Sequence, residues 1–113
     1  MKLALGRSDY FNRDFDLQYR WYLEHADEAV AERYFSAVWL TLDELALQPG
    51  IGHLRRFRNP ELSGLRSLRI RPPFNVHLVF YRHTQTDLFV ERITHGSRDL
   101  LRRLVEPPQD SEE

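Results

Sequence analysis

Two apolar stripes of helical period, separated by one acidic break, constrain this chain more than any other feature. Phe11, Phe15, Tyr19, Tyr22 and Ala26 recur at spacings of 4, 4, 3 and 4, which places them on one face of a helix. Trp21 and Leu23 widen that face. Ala31, Phe35, Val38, Leu42 and Leu45 repeat at 4, 3, 4 and 3 and define a second face. Ser8 and Asp27 stand where N-caps are needed, so the pattern predicts helices over about 9–25 and 28–47. Helices of this length joined by two or three residues fold back as an antiparallel hairpin. Pro49, Gly50 and Gly52 end it.

Such a hairpin needs an apolar surface to cover, and the second half of the chain supplies a sheet. Val76-His77-Leu78-Val79-Phe80-Tyr81 is apolar on both parities except at His77, as a central strand covered on both faces requires. Leu65 to Arg71 reads as a strand with Arg66, Leu68 and Ile70 on one face and Ser67, Arg69 and Arg71 on the other, interrupted by Pro72 and Pro73. Thr84 to Asp87 is a polar turn into a last strand, Leu88 to His95, in which Phe89, Ile93 and His95 share one parity. Residues 2–6 form a short first strand with Leu3 and Leu5 on one side, and residues 49–63 form a loop. Beyond the last strand Gly96 permits a turn. Ser97 caps a short helix, with Asp99 suited to its first turn and Arg102 and Arg103 to its last, and Pro107 and Pro108 stop it. The fold class is α+β: β-α-α-β-β-β with a short C-terminal helix, the helical hairpin packed on an antiparallel sheet. One domain is expected over residues 1–106, with an acidic tail over 107–113.

Charge is unevenly placed. Residues 1–50 carry five basic and nine acidic side chains, whereas residues 51–105 carry eleven arginines and four acids. The second half has no lysine at all. Arginine offers a planar fork that matches carboxylate or phosphate, so this segment suits an anionic partner, either nucleic acid or an acidic protein segment. Codon bias accounts for arginine over lysine but not for the scarcity of acids. No apolar run approaches the ~20 residues of a membrane span, and the start of the chain is too poor in apolar residues for a signal peptide. With no cysteine there is no thiolate metal site, and His25, His53, His77 and His83 lack metal-ligand spacing. No metal, cofactor or membrane partner is expected, and the cytoplasm is the expected location.

Several blocks appear in a telling order. They are Trp21-Tyr22 followed by an acid, Ala31-Glu32-Arg33-Tyr34-Phe35, and Leu45 with Pro49 and Gly52. Then come Pro60-Glu61-Leu62-Ser63-Gly64-Leu65-Arg66, Leu78-Val79-Phe80-Tyr81-Arg82, and Arg92-Ile93-Thr94-His95-Gly96-Ser97-Arg98-Asp99-Leu100. Together they resemble the RelE/ParE superfamily of toxins from type II toxin–antitoxin modules, and the ParE branch most closely. That resemblance implies a plasmid- or chromosome-stabilising toxin neutralised by an acidic, partly disordered, ParD-like antitoxin. ParE-like members poison DNA gyrase and block replication. The alternative is a RelE-like endoribonuclease that cuts mRNA in the ribosome.

The two alternatives use the candidate residues differently. A metal-independent ribonuclease needs a base, a phosphate clamp and an acid; Arg66 and Arg82 are the candidate clamps and His95 the acid or base. Gly96 follows His95, however, so the His-Tyr end of some ribonuclease members is absent. Arg66 also shares a face with Leu68 and Ile70, which leaves an internal ion pair, with Glu91 as the candidate partner, as open as ligand contact. For a binding protein, Trp21, Tyr22, Trp39, Arg69 and Arg71 are candidates for antitoxin contact, and His95, Arg98, Arg102 and Arg103 for target contact. Asp14, Asp16 and Glu24 read as a solvated helix face, and Arg55, Arg56 and Arg58 as a solvated loop.

Overall fold

In a computed structural model the described residues are 1–96 and 100–108. The order is β1 (Ala4–Arg7), α1 (Asp9–His25), α2 (Glu28–Leu47), β2 (His53–Leu54), β3 (Arg66–Arg69), β4 (His77–His83), β5 (Asp87–His95) and α3 (Leu100–Val105). Both long helices begin where their caps predict. Ser8 accepts from the Phe11 N–H and Asp27 from the Val30 N–H, each at 2.9 Å.

The sheet has five strands rather than the four expected, in the order β1-β5-β4-β3-β2. β1 runs parallel to β5, with Ala4 opposite Asp87 and Arg7 opposite Val90. β2 pairs antiparallel with β3 inside the segment expected to be loop; a two-residue strand is too short to show a period. β1 also starts later than expected. Leu3 precedes it, buried with its N–H on the Ala46 carbonyl at 2.9 Å, while Leu5 on the edge strand is exposed.

β4 is central and covered on both faces, as its sequence requires. The hairpin side holds Phe11, Tyr34, Val38, Leu42, Leu45, Val79, Tyr81, Leu88 and Val90. The opposite side holds Leu62, Leu65, Leu78, Phe80 and Leu104, so the segment before β3 and the helix α3 close that face. Within α2 the buried aromatic is Tyr34, not Phe35, which is 42% exposed. Tyr34 packs beneath Phe15, Tyr22 and Phe74 with centroids 5.1–5.6 Å away. Phe35 instead closes the outer groove of the hairpin against Phe15 and Trp39.

A bulge in β5 overturns the predicted parity of its side chains. Phe80 pairs with Arg92 but Tyr81 pairs with Val90, leaving Glu91 as the extra residue. Such an insertion exchanges the faces of everything beyond it. Leu88 and Val90 therefore face the hairpin, as does Ile93 after the bulge, while Phe89 lies on the other face, half exposed.

Ser8 ties the hairpin to this bulge. Besides capping α1, its Oγ donates to the Glu91 carbonyl at 2.6 Å and its N–H donates to the Val90 carbonyl at 2.9 Å. Ser8→Ala removes a cap and a bond to the bulge together. Its expected cost is about 1–3 kcal/mol in urea unfolding, and Ser8→Thr should recover most of it.

Candidate functional site

β1 stops opposite Val90, so the last residues of β5 have no strand on that side. The first helix fills the place with a carboxylate. Asp14 accepts the Ile93 N–H at 3.1 Å and binds the Arg92 guanidinium at 2.8 and 3.0 Å. Both side chains are nearly excluded from solvent, at 7% and 8% exposure. The remaining face of the guanidinium serves α3, donating to the carbonyls of Arg103, Leu104 and Glu106 at 2.7–3.2 Å. Its carbon lies 5.1 Å from the Tyr10 ring centre. One arginine thus holds α1, β5 and the last turn of α3 together. Burial pushes the Asp14 carboxyl above its ordinary value, against the pull of Arg92 and the Ile93 N–H. Neither residue was identified as functional in the sequence: they lie 78 positions apart, and Asp14 reads as surface.

Between α1 and α3, across this edge, opens a cleft of about 490 Å³. It gathers five of the predicted residues: Trp21 and Tyr22 from α1, His95 from β5, and Arg102 and Arg103 from α3. His77 closes its inner end, buried against the rings of Tyr22 and Tyr34. Its Nε2 lies 2.9 Å from the Tyr22 hydroxyl. Burial, assisted by the neighbouring His95, pushes the His77 imidazole down to about 4, so it is neutral at pH 7. His95 is exposed, its ring 6.1 Å from that of His77 and nearly perpendicular to it.

The other candidates lie elsewhere. Arg66 donates to the Gly52 carbonyl at 3.0 Å; it does not pair with Glu91. Glu91 binds Arg82, which also donates to the carbonyls of Glu61 and Ser63 at 2.7 and 3.1 Å. His95 lies opposite His77, and Arg82 lies five residues further along β4, about 17 Å at the strand rise. The three residues of the ribonuclease reading therefore do not converge. Arg69 donates to the Asn75 carbonyl at 2.7 Å. Arg71 turns toward the hairpin, 3.7 Å from Glu44, rather than away from it as strand parity predicts, because the strand ends at Arg69. Trp39 lines the outer hairpin groove beneath the Arg7 guanidinium at 5.0 Å. Arg55 is folded onto the sheet by Ser67 at 2.8 Å. Arg98 and the cap residues Ser97 and Asp99 lie outside the described residues. Among the described residues no helix is long and apolar enough to cross a membrane, and no cluster of metal-ligating side chains is present.

The family model of the ParE toxin of type II toxin-antitoxin system, parDE, matches residues 7–100. This chain belongs to the ParE toxin family. No curated protein matches it. Among solved structures it is similar to a chain of the chromosomal ParDE system from P. aeruginosa, with TM-score 0.68 and 17% identity over 85% of this chain and 98% of that one. It is also similar to the conserved hypothetical protein HP0894 from Helicobacter pylori, with TM-score 0.52 and 24% identity over 83% and 94% of the two chains. YafQ from E. coli strain BL21(DE3) matches with TM-score 0.49 and 17% identity over 84% and 94%. The first two likenesses speak to the fold.

In this ParE-family chain the match spans α1, both cleft histidines and Arg92, and ends where α3 begins. The latch holding α3 and the buried His77 of the same cleft make two predictions. Arg92→Met leaves Asp14 buried without its partner and should cost about 3–5 kcal/mol. A double-mutant cycle with Asp14→Leu in urea unfolding should recover a large part of that loss. His77 supplies the second. Its folded value lies below the unfolded one, so the unfolded chain takes up the proton first and stability falls as pH drops from about 6.5 towards 4. The full loss is roughly 3 kcal/mol, offset in part by Asp14, whose shift has the opposite sign. His77→Gln should flatten this limb in unfolding midpoints measured across that range.

Proposed function

We propose that this chain is the toxin of a type II module, acts in the cytoplasm by binding and inhibiting DNA gyrase, and is neutralised by a cognate acidic antitoxin. One observation carries the choice of binding over cutting: the phosphate clamps a ribonuclease would need, Arg66 and Arg82, are bound to a carbonyl and a carboxylate at the far end of β4 from His95. Arg102 and Arg103 are exposed and line the same cleft as His95, on a helix whose last turn is clamped by Arg92. That arrangement presents a preorganised basic surface to a protein target. The antitoxin reading rests on the outer hairpin groove, where Phe35 is exposed beside Phe15 and Trp39, and on the basic corner of Arg69 and Arg71. A disordered acidic segment that folds as it binds fits both. In this reading residues 1–106 are the toxin domain and residues 107–113 its tail.

Purified protein added to gyrase should abolish supercoiling or trap broken DNA. Arg102→Glu with Arg103→Glu should weaken that inhibition at least ten-fold with the unfolding midpoint preserved, whereas His95→Ala should be tolerated. Untouched gyrase, together with translation-dependent mRNA cleavage lost in His95→Ala, would reverse the assignment. Charge reversal at Arg69 and Arg71 should weaken antitoxin binding; an unchanged affinity would remove that surface from the interface.

A further inference from the structure

The layers on the two faces of the sheet differ in charge. The helical hairpin on one face, residues 9–47, holds nine carboxylates and three arginines. The segment before β3 closes the other face, packing Leu62 and Leu65 and, in part, Phe57 with Leu78 and Phe80. Residues 51–75, which include that segment and β3, hold six arginines and a single carboxylate, Glu61. Arg71 lies near Glu44, but Arg55, Arg56, Arg58, Arg66 and Arg69 form no ion pair among the described residues. Arg66 stands with Tyr81 on the hairpin side. The other four belong to the far side. Ser67 lies opposite Phe80 and Arg69 opposite Leu78, so both share the far face. Arg55 is fixed there, its Nε donating to Ser67 at 2.8 Å and its carbon 5.7 Å from the Phe80 ring centre. Arg69 is fixed by one nitrogen on the Asn75 carbonyl at 2.7 Å. Each keeps the rest of its fork free. Arg56 and Arg58 are exposed on either side of Phe57, whose ring packs inward. Like charges gathered without counter-charges repel one another, so such a surface costs stability unless an anion covers it.

We propose that Arg55, Arg56, Arg58 and Arg69 bind the phosphate backbone of a nucleic-acid duplex, without regard to its sequence. A guanidinium fork matches a phosphate at two points, and forks already anchored to the sheet lose little freedom on binding. The acidic hairpin on the opposite face is repelled by the same polyanion, so the molecule approaches with its basic layer first. Other anions fit this layer less well. A disordered acidic peptide gains affinity by burying apolar side chains as it folds. Here Leu62 and Leu65 are already buried against the sheet, whereas the hairpin groove leaves Phe35 exposed. A single strand needs rings on which its bases stack. The exposed residues of the segment are Arg56, Arg58, Pro60, Glu61, Ser63 and Gly64, none of them aromatic. What the layer can read is therefore charge on a backbone. Arg69 also belongs to the corner proposed for the antitoxin, but Arg55, Arg56 and Arg58 do not. The inference does not depend on gyrase being the target.

The test is direct binding of the full chain to a fluorescently labelled duplex of about 20 base pairs, followed by anisotropy across a salt series. The duplex is prepared as DNA in two unrelated sequences and as RNA, and binding of either nucleic acid supports the shared backbone chemistry. The two DNA sequences should differ less than three-fold in affinity. The slope of log K against log salt should be about −3.6 for DNA, four contacts at roughly −0.9 each. Arg56 and Arg58 make no printed side-chain bond, so the double variant Arg56→Gln with Arg58→Gln should keep its unfolding midpoint. It should bind the duplex at least ten-fold more weakly, with a slope shallower by about 1.8. Arg20→Gln with Arg33→Gln, on the hairpin, should change affinity less than two-fold. A deca-glutamate peptide should compete at least ten-fold less well than unlabelled duplex. The proposal is overturned if no duplex saturates at low salt, if the Arg56/Arg58 variant binds as the parent does, or if the hairpin variant loses as much. It also falls if deca-glutamate competes equally, which would make the partner an acidic protein segment.

Discussion

Asp14 and Arg92 meet where the last residues of β5 are left without a neighbouring strand. β1 covers β5 only as far as Val90, and an uncovered strand edge presents unpaired backbone to solvent or to other chains. A carboxylate from α1 takes the Ile93 N–H and, by doing so, brings a negative charge into a site that tolerates one only with a partner. Arg92 is that partner, and its planar fork has donors to spare. These gather the final carbonyls of α3, which no helical N–H can reach. The C-terminal helix is short, too short to hold itself together by its own hydrogen bonds. Its position therefore depends on a charge balance set in the first helix.

The bulge at Glu91 is what makes this arrangement possible. Without the extra residue, strict alternation would put Arg92 on the same face as Leu88 and Val90, against the hairpin core, and His95 on the same face as Phe89. With it, the change of parity falls between Val90 and Arg92. Arg92 then reaches α3, Ile93 returns to the hairpin core, and His95 comes to the cleft beside His77. Ser8 secures the bulge from the other side by taking up the carbonyl of the extra residue and that of Val90. A single inserted residue thus converts an ordinary last strand into one wall of a cleft.

What the sequence disclosed follows from the range over which its signals act. The two long helices, their caps and the central strand are local patterns of period 3.6 or 2, and they appear as read. The places where the reading departs are governed by contacts across the chain. The parity of Phe89 depends on how β5 aligns with β4, and β2 exists only because β3 offers it an edge. Tyr34 displaces Phe35 from the core because Phe15, Tyr22 and Phe74 enclose a ring at that position and not one residue later. The cleft was half legible. Trp21, Tyr22, His95, Arg102 and Arg103 were singled out by type and position, while Asp14, Arg92, Thr94 and His77 acquire meaning only when distant segments meet.

The preference for arginine also finds a physical reason in these contacts. Arg66, Arg69, Arg82 and Arg92 each donate to backbone carbonyls at turns or helix ends. A planar guanidinium can grip several carbonyls from one side, which the single ammonium of lysine does less well. A carbonyl satisfies a donor, though it does not cancel a charge. Arg66 and Arg69 therefore keep their positive field while serving the fold, whereas Arg82 and Arg92 surrender theirs to Glu91 and Asp14. The basic excess of the second half of the chain is thus structural and electrostatic at once. The same side chains that shape the turns leave a positive surface, and lysines in their place would preserve that surface while loosening the turns beneath it.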